Sequence, residues 1–320
     1  AELANSGSIT AARLDIDSGS MSNSGTVNQT GLQKLAVKGA EIRNSGLIGH
    51  AQVDEPTGGN HNSSVSVSNA PTTAAGSGEA VSVSETAPLM LAEGRITVAN
   101  RLDNAQDGRI SGNGMVDLSA QDQLHNQGRL NVASLQSEGS AFHNQGNIQA
   151  AEVTSRSNQF ANRSGIINSL NQIHIQSRQF DNRNGKMLSA ADTFIQTGSG
   201  ANQQGDIASQ TTLQIEAADG WDNQDGRLAG NQKVSVESRG LNNQGGEIAS
   251  VQNSVLLNSH NGALNNQQGQ IQAAQNINIQ SSGLDNRSGT VQGKHLTVQT
   301  GIQAVNNTAG KLLSQTDLQL

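Results

Sequence analysis

The chain has no cysteine, no tyrosine and only three prolines in 320 residues. Without cysteine, neither a disulfide framework nor a thiolate metal site can form. Aromatic residues make up 2% of the chain and the hydrophobic set 33%, which is little for the core of an ordinary globular domain. No apolar run approaches the ~18 residues that a membrane-spanning helix needs. There is no basic block, and 19 Lys and Arg against 26 Asp and Glu leave a net charge of −7, so a nucleic-acid partner is not expected. Scarcity of apolar residues can signal disorder, but here the apolar residues are regularly placed.

One short phrase recurs, as in Phe180-Asp181-Asn182-Arg183-Asn184-Gly185-Lys186-Met187. An apolar residue stands two before an Asn, a Gly follows the Asn by two to four, and a second apolar residue usually comes two after the Gly. The central Asn residues are Asn5, Asn23, Asn44, Asn104, Asn126, Asn144, Asn162, Asn182, Asn202, Asn223, Asn243, Asn266, Asn286 and Asn307. Neighbouring copies are 18–23 residues apart, except for the 60 between Asn44 and Asn104. A fixed period of this length predicts stacked repeats rather than separate domains.

Each repeat has three apolar stations. The first lies two before the Asn, and only Gly200 breaks that series. The second follows the Gly, as at Ile207, Leu228 and Ile248. The third is an alternating pair such as Ile173/Ile175, Leu213/Ile215 or Val234/Val236. Period-two alternation rich in Ile and Val is a strand signal. Short strands joined by Gly and Asn corners predict an all-β fold, a parallel β-helix. Fourteen phrases and one degenerate coil suggest about 15 coils, roughly 70 Å at ~4.8 Å per strand spacing.

The Asn can close an Asx turn and, at equivalent positions in successive coils, donate to the next amide. Asn104 to Asn307 is therefore expected to form a structural ladder, with the following Gly supplying a positive φ at each corner. Phe142, Phe160 and Phe180 share one station, and Trp221 is expected to continue their stack inside the core. The long step reads as an insertion over 54–88: two Val-Ser-Val runs flanking a small-residue loop suggest a β-hairpin, against the alternative of degenerate coils in line. Leu89-Met90-Leu91 and Ile96-Thr97-Val98 look like stations of a coil that has lost its Asn. Insertions in repeat arrays often bind, so Asn60, His61, Val65, Val67, Val81 and Val83 are the candidate partner contacts.

Little of the sequence points to chemistry. Asp103, Asp181, Asp222 and Asp285 precede the core Asn but are scattered, which suits solvated turn residues better than a calcium column. His125 and His143 share a station in adjacent coils but lack a third ligand for a metal. There is no Gly-x-Ser-x-Gly elbow, Walker or dinucleotide motif, so no catalytic residue, cofactor or metal is expected. A polysaccharide-active β-helix enzyme is the outlying alternative.

Leu284-Asp285-Asn286-Arg287-Ser288-Gly289-Thr290-Val291 and Leu241-Asn242-Asn243-Gln244-Gly245-Gly246-Glu247-Ile248 resemble the repeats of the filamentous haemagglutinin family, the two-partner-secretion exoproteins that include adhesins and CdiA-type contact-dependent inhibition toxins. The resemblance covers nearly the whole chain except about 54–88. It implies a right-handed parallel β-helix, secreted to a Gram-negative surface through an outer-membrane transporter. It also implies a cell-surface receptor, protein or glycan, on a neighbouring bacterium or a host cell. Adhesin stalk and toxin stick both remain open. Residues 1–320 are expected to be a single repeat segment of a longer protein, since both ends fall inside repeats.

Overall fold

The computed structural model describes residues 1–30, 35–50, 94–112, 116–301 and 303–320. It is an all-β parallel β-solenoid of about 13 turns, with no helix among the described residues. The chain divides into two compact units. The first holds the described residues up to Ala161 with Gly165–Leu170, and the second holds Asn162–Ser164 with Asn171–Leu320.

A turn of the second unit shows the plan. Strand Trp221–Asp222 runs into the Asn223 corner, Arg227–Gly230 follows, and Lys233–Glu237 completes the turn. The next turn repeats it with Leu241–Asn242, Glu247–Ser250 and Ser254–Asn258. The two are paired in parallel with Trp221 opposite Leu241, Leu228 opposite Ile248, Val234 opposite Val255 and Val236 opposite Leu257. The three apolar stations thus become columns, each buried against its counterpart one turn away. A one-residue slip would turn every station outward, so burial holds the register. Charge supports it on the outside: Lys186, Asp206, Arg227 and Glu247 succeed one another in register, and Arg227 bonds Asp206 at 3.1 Å and reaches Glu247 at 3.6 Å.

In the first unit the long step is a single turn. Strand Leu35–Asn44 pairs directly with Gly94–Asn104, placing Val37 opposite Ile96, Ile42 opposite Leu102 and Asn44 opposite Asn104. Leu47–His50 likewise pairs with Arg109–Ser111. Ile96 and Val98 therefore belong to the Asn104 turn itself, not to a coil without an Asn. The ladder leaves no free edge for a coil in between, which removes the degenerate coil from the expected count of about 15; the solenoid has about 13 turns. The hairpin or loop expected over 54–88 lies outside the described residues.

The corner corrects a second expectation. From the Asn162 corner on, positive φ falls not on the Gly of the phrase but on the residue before it: Ser164, Asn184, Gln204, Asp225, Gln268, Ser288 and Ala309, with φ between 53° and 57°, and Gly245 at 63°; in the corners of Asn5 to Asn144 neither residue has it. In the second unit the phrase Gly is needed for space. A Cβ on Gly205 would strike the carbonyl oxygen of Asn182 and the Oδ1 of Asn202, and would lie 2.9 Å from the Nδ2 of Asn182.

Alternation also breaks in the second unit, where Leu188, Ala208 and Ala229 form a buried apolar cluster although their neighbours Met187, Ile207 and Leu228 already fill the inward station.

Candidate functional site

The most ordered polar feature is the Asn column. In the first unit each Nδ2 donates to the Oδ1 one turn on: Asn5 to Asn23 at 2.8 Å, Asn23 to Asn44 at 2.8 Å, Asn44 to Asn104 at 3.0 Å, Asn104 to Asn126 at 2.8 Å and Asn126 to Asn144 at 2.7 Å. In the second, Asn162, Asn182, Asn202, Asn223, Asn243, Asn266, Asn286 and Asn307 are linked in the same direction at 2.6–2.8 Å. From Asn23 to Asn286 these residues are at most 2% exposed. The second amide proton is also used: Asn202 donates to the Gly205 carbonyl of its own corner at 3.2 Å and to the Arg227 carbonyl of the next turn at 3.1 Å. The amide is thus satisfied without water, as burial requires.

Aromatic rings stack within each unit. Phe142 and Phe160 stack with centroids 4.6 Å apart and planes 13° from parallel. Phe180 and Trp221 stack at 5.3 Å and 28°, although Gly200 stands between them in register. The indole fills the space a side chain at 200 would take, and a Cβ there would meet its Cε3 and Cζ3. Gly200→Ala is therefore expected to lower stability by about 1–3 kcal/mol through overpacking. Denaturant titration followed by the fluorescence of the single Trp will measure this, and an unchanged midpoint would refute the fit.

The carboxylates before the core Asn are turn residues held by neighbours rather than free in solvent. Asp181 and Asp285 each accept the backbone N–H two residues on and pair with Arg183 at 2.7 Å and Arg287 at 2.8 Å. Asp103 pairs with Arg101 at 2.7 Å, and Asp222 accepts from Gln203 and Asn242. Burial pushes the Asp181 carboxyl up, but the bonds from Arg183 and Arg163 together outweigh it and hold its pKa below the usual range. For Asp285 the Arg287 side-chain bond is the largest influence, and it also lowers the pKa. A lowered folded-state pKa stabilises fully above the unfolded value of about 4 and is lost as pH falls through the folded one. The melting temperature is thus expected to hold from pH 7 to about 5 and to fall below about 4. A double Arg183→Gln, Arg287→Gln variant should show a shallower acid fall; an identical profile would exclude these pairs.

His125 and His143 lie edge to face with centroids 5.7 Å apart, and His125 Nδ1 is 3.5 Å from Asp103. Among the described residues no group of three His, Cys, Asp or Glu could hold a metal ion. Asn60, His61, Val65, Val67, Val81 and Val83 lie outside the described residues.

The haemagglutinin repeat model matches residues 136–219, 210–268 and 254–320, which together are more than half of the chain. The chain belongs to the haemagglutinin repeat family. No curated protein and no solved structure matches it. The repeat is a non-enzymatic adhesin-type repeat. Its matches begin at Gln136 and run to Leu320, where corners of the Asn-x-x-Gly form, with a left-handed residue before the Gly, predominate. No helix among the described residues is long and apolar enough to cross a membrane.

Proposed function

We propose that this chain is a stalk segment of a secreted, cell-surface haemagglutinin-like adhesin of a Gram-negative bacterium, presenting binding or toxin parts to a target cell. The observation that carries the reading is the haemagglutinin repeat over 136–320 in a chain whose turns stack as a parallel solenoid. Proteins of this repeat family are secreted or cell-surface adhesins, so a surface target is the partner class it suggests. The full-length protein would leave the cell through an outer-membrane two-partner-secretion transporter. The second reading is the stick of a contact-dependent inhibition toxin, with its receptor contacts near 54–88. It is favoured by the one interruption of the period, between Asn44 and Asn104.

The test is binding of the labelled chain to bacterial and to animal cells, with and without residues 54–88. Binding to animal cells supports the adhesin, and binding to bacteria supports the inhibition toxin. Loss with the deletion would assign the contacts to the insertion. No binding to either cell type would sink the adhesive reading for this segment and leave a plain stalk.

A further inference from the structure

One outward column of the second unit is buried where a solenoid wall should meet solvent. Met187, Ile207, Leu228 and Ile248 fill the inward station. The residues after them, Leu188, Ala208, Ala229 and Ala249, therefore point outward, by the alternation of a strand. They follow one another in register over four turns. Outward apolar residues elsewhere, such as Ala36, Ala161, Ala201 and even Leu256, are only half-buried. These four are 6%, 1%, 0% and 5% exposed, and the first three form an apolar cluster of their own.

Such burial needs a cover. Every described strand is paired sideways in the wound sheet, so none lies across this strip. The outward column beside it, Lys186, Asp206, Arg227 and Glu247, is charged, and Arg227 is engaged along that column with Asp206 and Glu247. The burial arises within a single chain, so the cover is part of that chain. A second observation says what the cover must offer. At the equivalent outward position of strand Ile166–Ser169, Asn168 is 8% exposed, and its Oδ1 has no partner among the described residues. A buried amide oxygen calls for a donor, so the cover must carry polar hydrogens as well as apolar groups.

We infer that this strip is the docking face of the chain's own residues 54–88. Of the stretches outside the described residues, 31–34, 51–93, 113–115 and 302, only the second is long enough to leave its turn and return. Half of it, extended, spans about 70 Å. Its sequence supplies what the strip requires. Ser64-Val65-Ser66-Val67-Ser68 and Ala80-Val81-Ser82-Val83-Ser84 alternate Val with Ser, so each run has one apolar side and one hydroxyl side. Val needs a face to bury against, and a column of Ala leaves room for branched side chains. Ser hydroxyls and main-chain N–H groups are the donors that the Asn168 oxygen lacks. No Asp, Glu, Lys or Arg occurs from 56 to 78, so no charge is desolvated there. Docking turns Val65, Val67, Val81 and Val83 toward the solenoid and leaves Asn60, His61 and the serines for any outside partner. The contact lies within the chain and does not rest on the adhesive reading.

The chain has no cysteine, so one introduced thiol reports on the strip. In the 320-residue chain the thiol of Ala229→Cys should react with a maleimide at least about tenfold more slowly than that of Ala201→Cys, an outward Ala outside the strip. Deleting 54–88 leaves eight residues between His50 and Gly94. Two suffice between Gly230 and Lys233, so the turn should close and the Trp221 fluorescence should be kept. In the deleted chain the two thiols should react at equal rates. Val67→Asp combined with Val83→Asp should raise the rate at 229 in the same way with the segment still present. Fast reaction at 229 in the undeleted chain, or slow reaction that survives the deletion or the double substitution, would overturn the inference. So would protection that is lost on dilution, which would make the cover a second copy. Labelling needs no receptor, so a chain that binds no cell leaves this inference standing while the adhesive reading falls.

Discussion

Asn202→Leu will lower the unfolding free energy by about 3–6 kcal/mol, because it strands several buried polar groups at once. Asn182 Nδ2 loses its acceptor, and Asn223 Oδ1 and the Gly205 and Arg227 carbonyls lose their donor. Each unpaired buried group costs about 1–3 kcal/mol, partly relieved by relaxation and by the apolar volume of Leu. Asn202→Asp makes the sharper comparison. It keeps the shape and the acceptor, yet its carboxylate sets an oxygen against three oxygens at a site that is fully buried. The Asp variant should therefore be at least as damaged as the Leu variant at pH 7, and should recover in part when acid protonates the carboxyl. Denaturant unfolding followed by Trp221, which lies two residues from the next Asn of the column, will measure both. A loss under about 1 kcal/mol for either would mean that the ladder is not a buried, fully bonded chain of amides.

The second large effect lies in the same corner and has opposite signs at adjacent positions. Gly205→Ala should cost about 3 kcal/mol or more, since its methyl group collides with backbone and buried amide atoms that cannot yield. Gln204→Gly should gain about 0.5–1 kcal/mol, because Gln204 sits at φ 56°, where an ordinary side chain is strained by roughly 1–2 kcal/mol and Gly is not, less the entropy Gly loses on folding. If Gly were instead required at 205 for backbone conformation, Gly205→Ala would be costly all the same, but Gln204→Gly would bring no gain and would lose the entropy of Gly. Melting curves of the two single variants separate the accounts. Because a solenoid is held by contacts between neighbouring turns, both changes should act first on the turns of Asn182, Asn202 and Asn223. Hydrogen exchange of the amides in those turns will show whether the damage stays local.

Some of this was legible along the chain. The period of the Asn, the alternating Ile and Val and the near absence of other apolar residues lead to an all-β solenoid. Every turn must bury the same three stations, and a strand buried on its inner side alternates with period two. The apolar positions named from the repeat, such as Ile207, Leu228, Ile248, Val234 and Val236, are the buried ones. The family, too, was legible in the repeated phrase, since a motif used so many times leaves a signature that a single site does not.

Only the tertiary structure decided what depends on atoms about twenty residues apart. The sequence alone allowed coils in line between Asn44 and Asn104, and pairing across that gap excluded them. It could not separate a Gly needed for φ from one needed for space, because the collision at Gly205 comes from Asn182 in the turn before. Nor could it show that Gly200 makes room for Trp221, or that Leu188, Ala208 and Ala229 are buried together. Composition and period determine which residue types recur in a turn. Register between turns determines which of them meet, and it is a property of the stacked backbone rather than of any one repeat.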